Sequence, residues 1–93
     1  MALNEDIVLK SIHSFYEQLD NELEKRDLEI SDERNHTIDG DQIKIILKAP
    51  SISGLVEVLI DDTLKDNFGD SSQEIGYTKV DNGVIYEISI IYS

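Results

Sequence analysis

The fold of this chain is decided near its end, by the stretch TKVDNGVIYEISIIY at residues 78–92. Two runs of strand-forming residues flank Asn82-Gly83, and these two residue types tolerate the positive φ that a tight primed turn requires. Every other residue of the second run is apolar or aromatic: Val84, Tyr86, Ile88, Ile90 and Tyr92. The opposite row holds Ile85, Glu87, Ser89 and Ile91. We therefore predict a β-hairpin whose last strand buries one wholly apolar face.

At the other end of the chain, residues 4–27 have a helical pattern. Apolar residues recur there every three or four positions: Val8, Ile12, Phe15, Tyr16, Leu19 and Leu23. Asn4 is suited to cap a helix, and Glu5 and Asp6 fall in the first turn, where carboxylates favour the helix dipole. The pattern predicts an amphipathic helix from Asn4 to about Asp27.

A second hairpin is predicted at residues 36–49, after a loop at residues 28–36. Asp39-Gly40 is a common primed-turn pair. In the strand that follows, one row holds Ile43, Ile45 and Leu47, and the other holds Gln42, Lys44, Ile46 and Lys48. We expect the first row to be buried and the second to be partly exposed to water. Pro50 cannot donate to a strand ladder and ends the hairpin.

Residues 51–69 fit two patterns. The helical one has the longer apolar stripe, made of Ile52, Leu55, Val56, Leu59, Ile60, Leu64 and Phe68. Ser53 can cap such a helix and Gly69 can end it, with Val58 as a misfit. The alternative is a strand with Val56, Val58 and Ile60 on one face. The helix matches more positions and is our prediction.

Residues 74–80 then form the first strand of the last hairpin, and Gly76 within it suggests a bulge or a close approach of another backbone. The whole chain, residues 1–93, is thus predicted to be a single small α+β domain. Its elements follow the order α-β-β-α-β-β and form a four-stranded, largely antiparallel sheet with the helices on one face. Because the chain ends in a strand, we expect a free sheet edge there and a possible homodimer.

The net charge restricts the partners of this domain. Eight basic against 20 acidic residues give −12, and each half of the chain contributes −6. We therefore expect an evenly charged surface that repels nucleic acid and membranes and binds a basic protein surface. The chain has no cysteine, no basic and apolar leader and no long apolar run. These features predict a cytoplasmic protein.

No catalytic or metal-binding motif emerges from the residue spacing. The acidic residues around Asp39 and Asp61 do not follow the calcium-loop pattern. His13 and His36 have no metal-ligating residue at a suitable spacing, and the five glycines form no phosphate loop. We expect no enzyme activity, no metal and no cofactor.

The candidate site is a set of carboxylates on the two predicted helices. Four of them, Glu17, Asp20, Glu24 and Asp27, are three or four positions apart and would form one stripe. A second cluster holds Asp61, Asp62 and Asp66. Carboxylates one helical turn apart are separated by about 5 to 6 Å, comparable with neighbouring phosphates. A solvated helix face is the commoner explanation of such a charge run.

The tyrosines also allow two interpretations. In a chain without tryptophan they serve first as core aromatics whose hydroxyl reaches outward. Tyr77 and Tyr86 on the last hairpin are alternatively anchors in a protein interface, where tyrosine is enriched.

The leading hypothesis is a non-enzymatic acidic inhibitor that occupies the basic nucleic-acid groove of a larger enzyme, its carboxylates taking the place of phosphates. This chain is similar in size and charge to small phage and mobile-element proteins that block CRISPR effectors, restriction enzymes or DNA-repair glycosylases. The similarity does not involve any sequence motif. The alternatives are an immunity protein that neutralises a toxin and a homo-oligomeric structural or adaptor protein.

Overall fold

A computed structural model describes residues 5–31, 33–69 and 71–91 of the chain. Its elements are α1 (Glu5–Lys25), β1 (Arg34–Asp39), β2 (Gln42–Ala49), α2 (Gly54–Phe68), β3 (Ser72–Val80) and β4 (Gly83–Ile91). The predicted α-β-β-α-β-β order is confirmed, and the ambiguous segment after Pro50 is a helix. The suggested cap Asn4 and the last aromatic residue of the inner row, Tyr92, lie outside the described residues.

The four strands form one antiparallel sheet in the order β1-β2-β4-β3. The last strand β4 is central: Ile88 is paired with Ile45 of β2 on one side and with Ile75 of β3 on the other. The predicted free edge at the C-terminal strand is therefore wrong, and the free edges belong to β1 and β3. A central position suits β4 because its apolar row is then shielded by a neighbouring strand on each side.

The core lies between one face of the sheet and the two helices. The predicted inner rows of β2 and β4 are buried: Ile43, Ile45, Leu47, Val84, Tyr86, Ile88 and Ile90. From α1 the same cluster takes Val8, Ile12, Phe15, Leu19 and Leu23. The opposite face of the sheet has no helix over it among the described residues, and its side chains are exposed or half-buried. Both helices thus cover one face, as predicted.

Helix α2 begins directly after the cap residue that the sequence suggested. The Ser53 hydroxyl caps the helix by accepting a hydrogen bond from the Val56 amide at 3.3 Å. Ile52 precedes this cap and Leu55 is in the first turn, and they are 40% and 48% exposed. These two residues of the predicted apolar stripe are therefore not part of the core. In their place the core takes Thr63, whose hydroxyl donates to the Leu59 carbonyl at 2.6 Å.

The two hairpins form as predicted, but their turns differ in detail. Positive φ occurs at Gly40 (62°) and Gly83 (147°) and not at Asn82, so the last turn is not the predicted primed type. Glycine is required at position 83 because a Cβ there would collide with the Ala49 carbonyl oxygen. Gly76, by contrast, pairs in register with Glu87 and has open space around it, so the bulge or close approach predicted there is absent.

The C-terminal end of α1 has a geometry that the sequence pattern did not reveal. Asp27 has a φ of 58°, in the left-handed region that glycine usually occupies after a helix. The Leu28 amide donates to the Leu23 carbonyl at 2.9 Å, and the Asp27 amide donates to the Glu24 carbonyl at 3.2 Å. These two bonds form a Schellman motif. The helix therefore ends at Lys25, two residues before its predicted end.

The central position of β4 predicts a large difference between its two faces. Replacing Ile88, which is 1% exposed, by alanine should lower the free energy of unfolding by about 2 to 4 kcal/mol, since it leaves a core cavity. The matched control is Ile91→Ala on the same strand, because Ile91 is 44% exposed and should cost under about 1 kcal/mol. Urea denaturation followed by circular dichroism measures both; equal losses would mean that the helix-covered face is not the core.

Candidate protein-binding surface

The helices of the molecule carry more negative charge than its strands. Helices α1 and α2 carry ten acidic and three basic residues, whereas the four strands carry three acidic and four basic residues. The helices therefore have a net charge of −7 and the strands of +1. The connections between the elements carry the remaining −6 of the total of −12. We call the solvent side of α1 and α2 the acidic layer.

Three of the four carboxylates in the predicted stripe lie on the exposed side of α1, namely Glu17, Asp20 and Glu24. The fourth, Asp27, is exposed but lies beyond the helix, in the left-handed turn. Asp20 is bound by Arg34 of β1, whose two terminal nitrogens donate to its oxygens at 2.8 and 3.1 Å. The Arg34 side chain is only 14% exposed, so this bidentate pair fixes the carboxylate against the start of β1.

The basic residues at the end of α1 contact a different carboxylate. Arg26 donates to Glu22 at 2.7 Å, and Lys25 donates to the same carboxylate at 3.4 Å. These contacts, the bond from Arg26 first, lower the pKa of Glu22. Among the described residues, no cation pairs with Glu17 or Glu24. Their charges therefore stay available to a partner.

Arg34 is held in place by an aromatic contact as well. Its guanidinium carbon lies 5.1 Å from the centre of the Tyr16 ring, within the range of a cation–π interaction. The Tyr16 hydroxyl is 3.3 Å from Nδ1 of His36, also on β1. Burial raises the pKa of the Tyr16 phenol, and the positive charge of Arg34 opposes that rise. A packed contact between α1 and β1 therefore holds this part of the stripe in place.

The three carboxylates of the second predicted cluster have different surroundings. Asp61 accepts a bond from Lys65 at 2.9 Å and lines a shallow groove with Gln73 and Ile75 of β3. Asp66 accepts a bond from the Gln18 side chain of α1 at 2.7 Å. Asp62 is exposed. Asp61 thus lies on the β3 side of α2, and Asp66 lies where α2 contacts α1. Asp62 faces the solvent one helical turn before Asp66.

The structure separates the two tyrosines that were candidate anchors. Tyr86 is fully buried in the core, and its hydroxyl accepts a bond from the Ser53 amide at 3.3 Å. The interpretation of Tyr86 as a core aromatic is confirmed, and its assignment as a contact residue is wrong because no partner can reach it. Tyr77, opposite it on the edge strand β3, is 53% exposed and open to contact.

The end of the stripe opens into a groove that the sequence did not reveal. Asp20, Glu24 and Asp27 line it together with Glu29, and its volume is about 730 Å³. Its walls include apolar residues from α1, the following loop, β2 and α2, namely Leu23, Leu28, Ile30, Ala49 and Val56. We call it the acidic groove. Glu29 falls in the loop predicted at residues 28–36. The only sequence feature that connects it with the stripe is its closeness to Asp27.

The described residues contain no group of three or more histidine, cysteine or acidic side chains arranged to hold a metal ion. Within the same ranges, neither helix is long and apolar enough to cross a membrane. No protein-family model and no curated protein matches the sequence.

The contact between α1 and β1 predicts the alkaline behaviour of Tyr16. The phenol should ionise above the ordinary pKa of 10.0, so stability linked to it is complete below that pH and is lost as the pH rises through the higher folded pKa. Arg34→Gln should raise the Tyr16 pKa further, because it removes the charge that favours the phenolate. NMR titration of the tyrosine ring signals measures both values.

The control for this titration is Asp20→Asn, which removes the ion-pair partner of Arg34 while keeping the guanidinium charge. It should move the Tyr16 pKa less than Arg34→Gln does. An unchanged Tyr16 pKa in Arg34→Gln would contradict the contact seen in the structure.

Proposed function

We propose that this protein is a non-enzymatic cytoplasmic inhibitor whose acidic layer binds the basic nucleic-acid groove of a larger enzyme. An inhibitor of a CRISPR effector or another DNA mimic would work in this way. The observation that carries the proposal is the segregation of charge, −7 on the helices against +1 on the strands. A helical layer of one charge sign beside nearly neutral strands offers a basic partner one complementary face.

Rigid spacing supports the same proposal. Glu17 and Glu24 are two turns apart on one helix, about 10 Å along its axis, with Asp20 fixed between them by Arg34. A basic groove that binds a nucleic-acid backbone presents its lysines and arginines to a regular row of negative charges. A row of carboxylates on a packed helix offers such charges without the entropy cost of ordering a flexible acidic tail.

An immunity protein that neutralises a basic toxin would use the same surface, and competition by nucleic acid separates the two functions. The homo-oligomeric adaptor would instead use the exposed side chains near the free edge of β3, where Tyr77 and Val80 are 53% and 44% exposed. It requires no contact with the acidic layer, so substitutions on the helices distinguish it.

The test compares two triple charge reversals. Glu17→Lys, Glu24→Lys and Asp62→Lys together change the acidic layer, and none of these carboxylates forms an ion pair within the described residues. Asp39→Lys, Glu74→Lys and Glu87→Lys make the same change in net charge on the open face of the sheet. The wild type should capture nucleic-acid enzymes from host lysate, and the first variant should lose them while the second retains them.

Capture should weaken steeply as the salt concentration rises and should be reversed by added DNA or RNA, since both compete for the same cations. Thermal melts of both variants check that the fold is intact. Equal loss of capture in the two variants would point to net charge alone. Capture that nucleic acid does not reverse would remove the mimicry proposal and leave the immunity or adaptor function.

A further inference from the structure

The acidic groove combines an apolar wall with a carboxylate rim. Leu23, Ala49 and Val56 are almost completely buried, and Leu28 and Ile30 pack against the same core. Glu24, Asp27 and Glu29 are exposed around them. We propose that this groove receives an arginine or lysine side chain from a basic segment of the partner. The inference deepens the proposed function and rests on it for the basic nature of the partner.

The two parts of the groove match the two parts of a long basic side chain. Arginine and lysine lay their methylene stems on apolar surface and keep their charged ends in polar surroundings. In the acidic groove, Leu28 and Ile30 offer the apolar surface, and Glu24, Asp27 and Glu29 offer acceptors for the charged end. A guanidinium can bind a carboxylate through two parallel hydrogen bonds, so arginine suits the rim better than lysine.

The negative charge of the groove favours a basic side chain over a phosphate, an apolar peptide or a second copy of this chain. Four acidic and no basic residues line the groove, and only Asp20 has a cation partner within the described residues. The helix ends nearby matter less, since the C-terminus of α1 and the N-terminus of α2 each contribute about half a unit charge, of opposite sign. A phosphate would be repelled, and an apolar peptide would leave the carboxylates uncompensated. A second copy of this chain brings −12 of its own.

The position of the groove links it to the stripe. Asp20, Glu24 and Asp27 belong to both, so a partner that lies along α1 has a basic side chain within reach of the groove. The Schellman turn places Asp27 at the rim, because a continued helix would carry this residue further along the α1 axis. The groove would therefore be the anchoring point of an interface whose remainder is a row of exposed charges.

The test uses a defined probe, the tripeptide acetyl-Ala-Arg-Ala-amide, and the same peptide with citrulline in place of arginine. Citrulline has nearly the same shape and no charge. In amide NMR spectra at low salt, the arginine peptide should shift the signals of Glu24, Asp27, Glu29 and Ser51, a further residue of the groove. The citrulline peptide should shift them far less. Equal shifts with both peptides would overturn the proposal.

Two conservative double variants localise the site. Asp27→Asn with Glu29→Gln removes charge from the groove alone, and asparagine tolerates the left-handed backbone at position 27. Its affinity for the arginine peptide should fall by about three- to tenfold, the effect of two exposed charge contacts. The matched control, Glu17→Gln with Asp62→Asn, removes two charges of the acidic layer outside the groove and should change the affinity less than twofold.

Equal losses in these two double variants, or shifts spread over the whole acidic layer, would mean nonspecific attraction and overturn the groove. The peptide experiment does not depend on the natural partner. If the arginine peptide does not bind the groove but the triple charge reversal still abolishes capture of enzymes, the groove inference fails and the proposed function stands. If the groove binds the arginine peptide but nucleic acid does not reverse capture, the groove inference stands and the proposed function fails. The partner is then a basic protein without a nucleic-acid groove.

Discussion

The burial of β4 between β2 and β3 is the interaction on which the rest of the structure depends. The inner row of this strand, Val84, Tyr86, Ile88 and Ile90, is at most 1% exposed. Burying four such side chains is worth several kcal/mol, a large share of the stability of a small domain. Because both helices must cover this row, their polar sides can face only the solvent. The acidic layer is a consequence of that arrangement.

Neutralisation within the acidic layer is selective. Arg34 pairs with Asp20, and Lys65 pairs with Asp61. Arg26 and Lys25 both pair with Glu22. These pairs reduce repulsion where α1 meets β1 and along the helices themselves. The carboxylates left without a cation in the described residues include Glu17, Glu24, Asp27 and Glu29. They lie along α1 and around the acidic groove, where a partner with basic side chains can supply the missing positive charge.

Prediction from sequence was incomplete where a residue's surroundings depend on the backbone geometry at a helix end or on contacts with other elements. The pattern of α1 correctly identified Glu17, Asp20 and Glu24 as exposed, but Asp27 follows the helix end that a Schellman motif creates. Asp61 and Asp66 belong to one helix, yet Asp61 pairs with Lys65 and lines a groove against β3, whereas Asp66 accepts a bond from Gln18 of α1. Tyr86 lies in the row of β4 that its alternation predicts to be buried, but its hydrogen bond with Ser53 joins residues 33 positions apart and has no local signal.

The sequence by itself determined the order of the elements, both hairpins and the buried rows of β2 and β4, because side-chain periodicity and turn residues act over a few neighbouring positions. Only the tertiary structure decided that β4 is central, that the Arg34 side chain binds Asp20 of α1 and that loop and helix ends meet in the acidic groove. Each half of the chain carries the same −6 and contains one helix and one hairpin. The segregation becomes visible only when both helices pack on one face of the shared sheet.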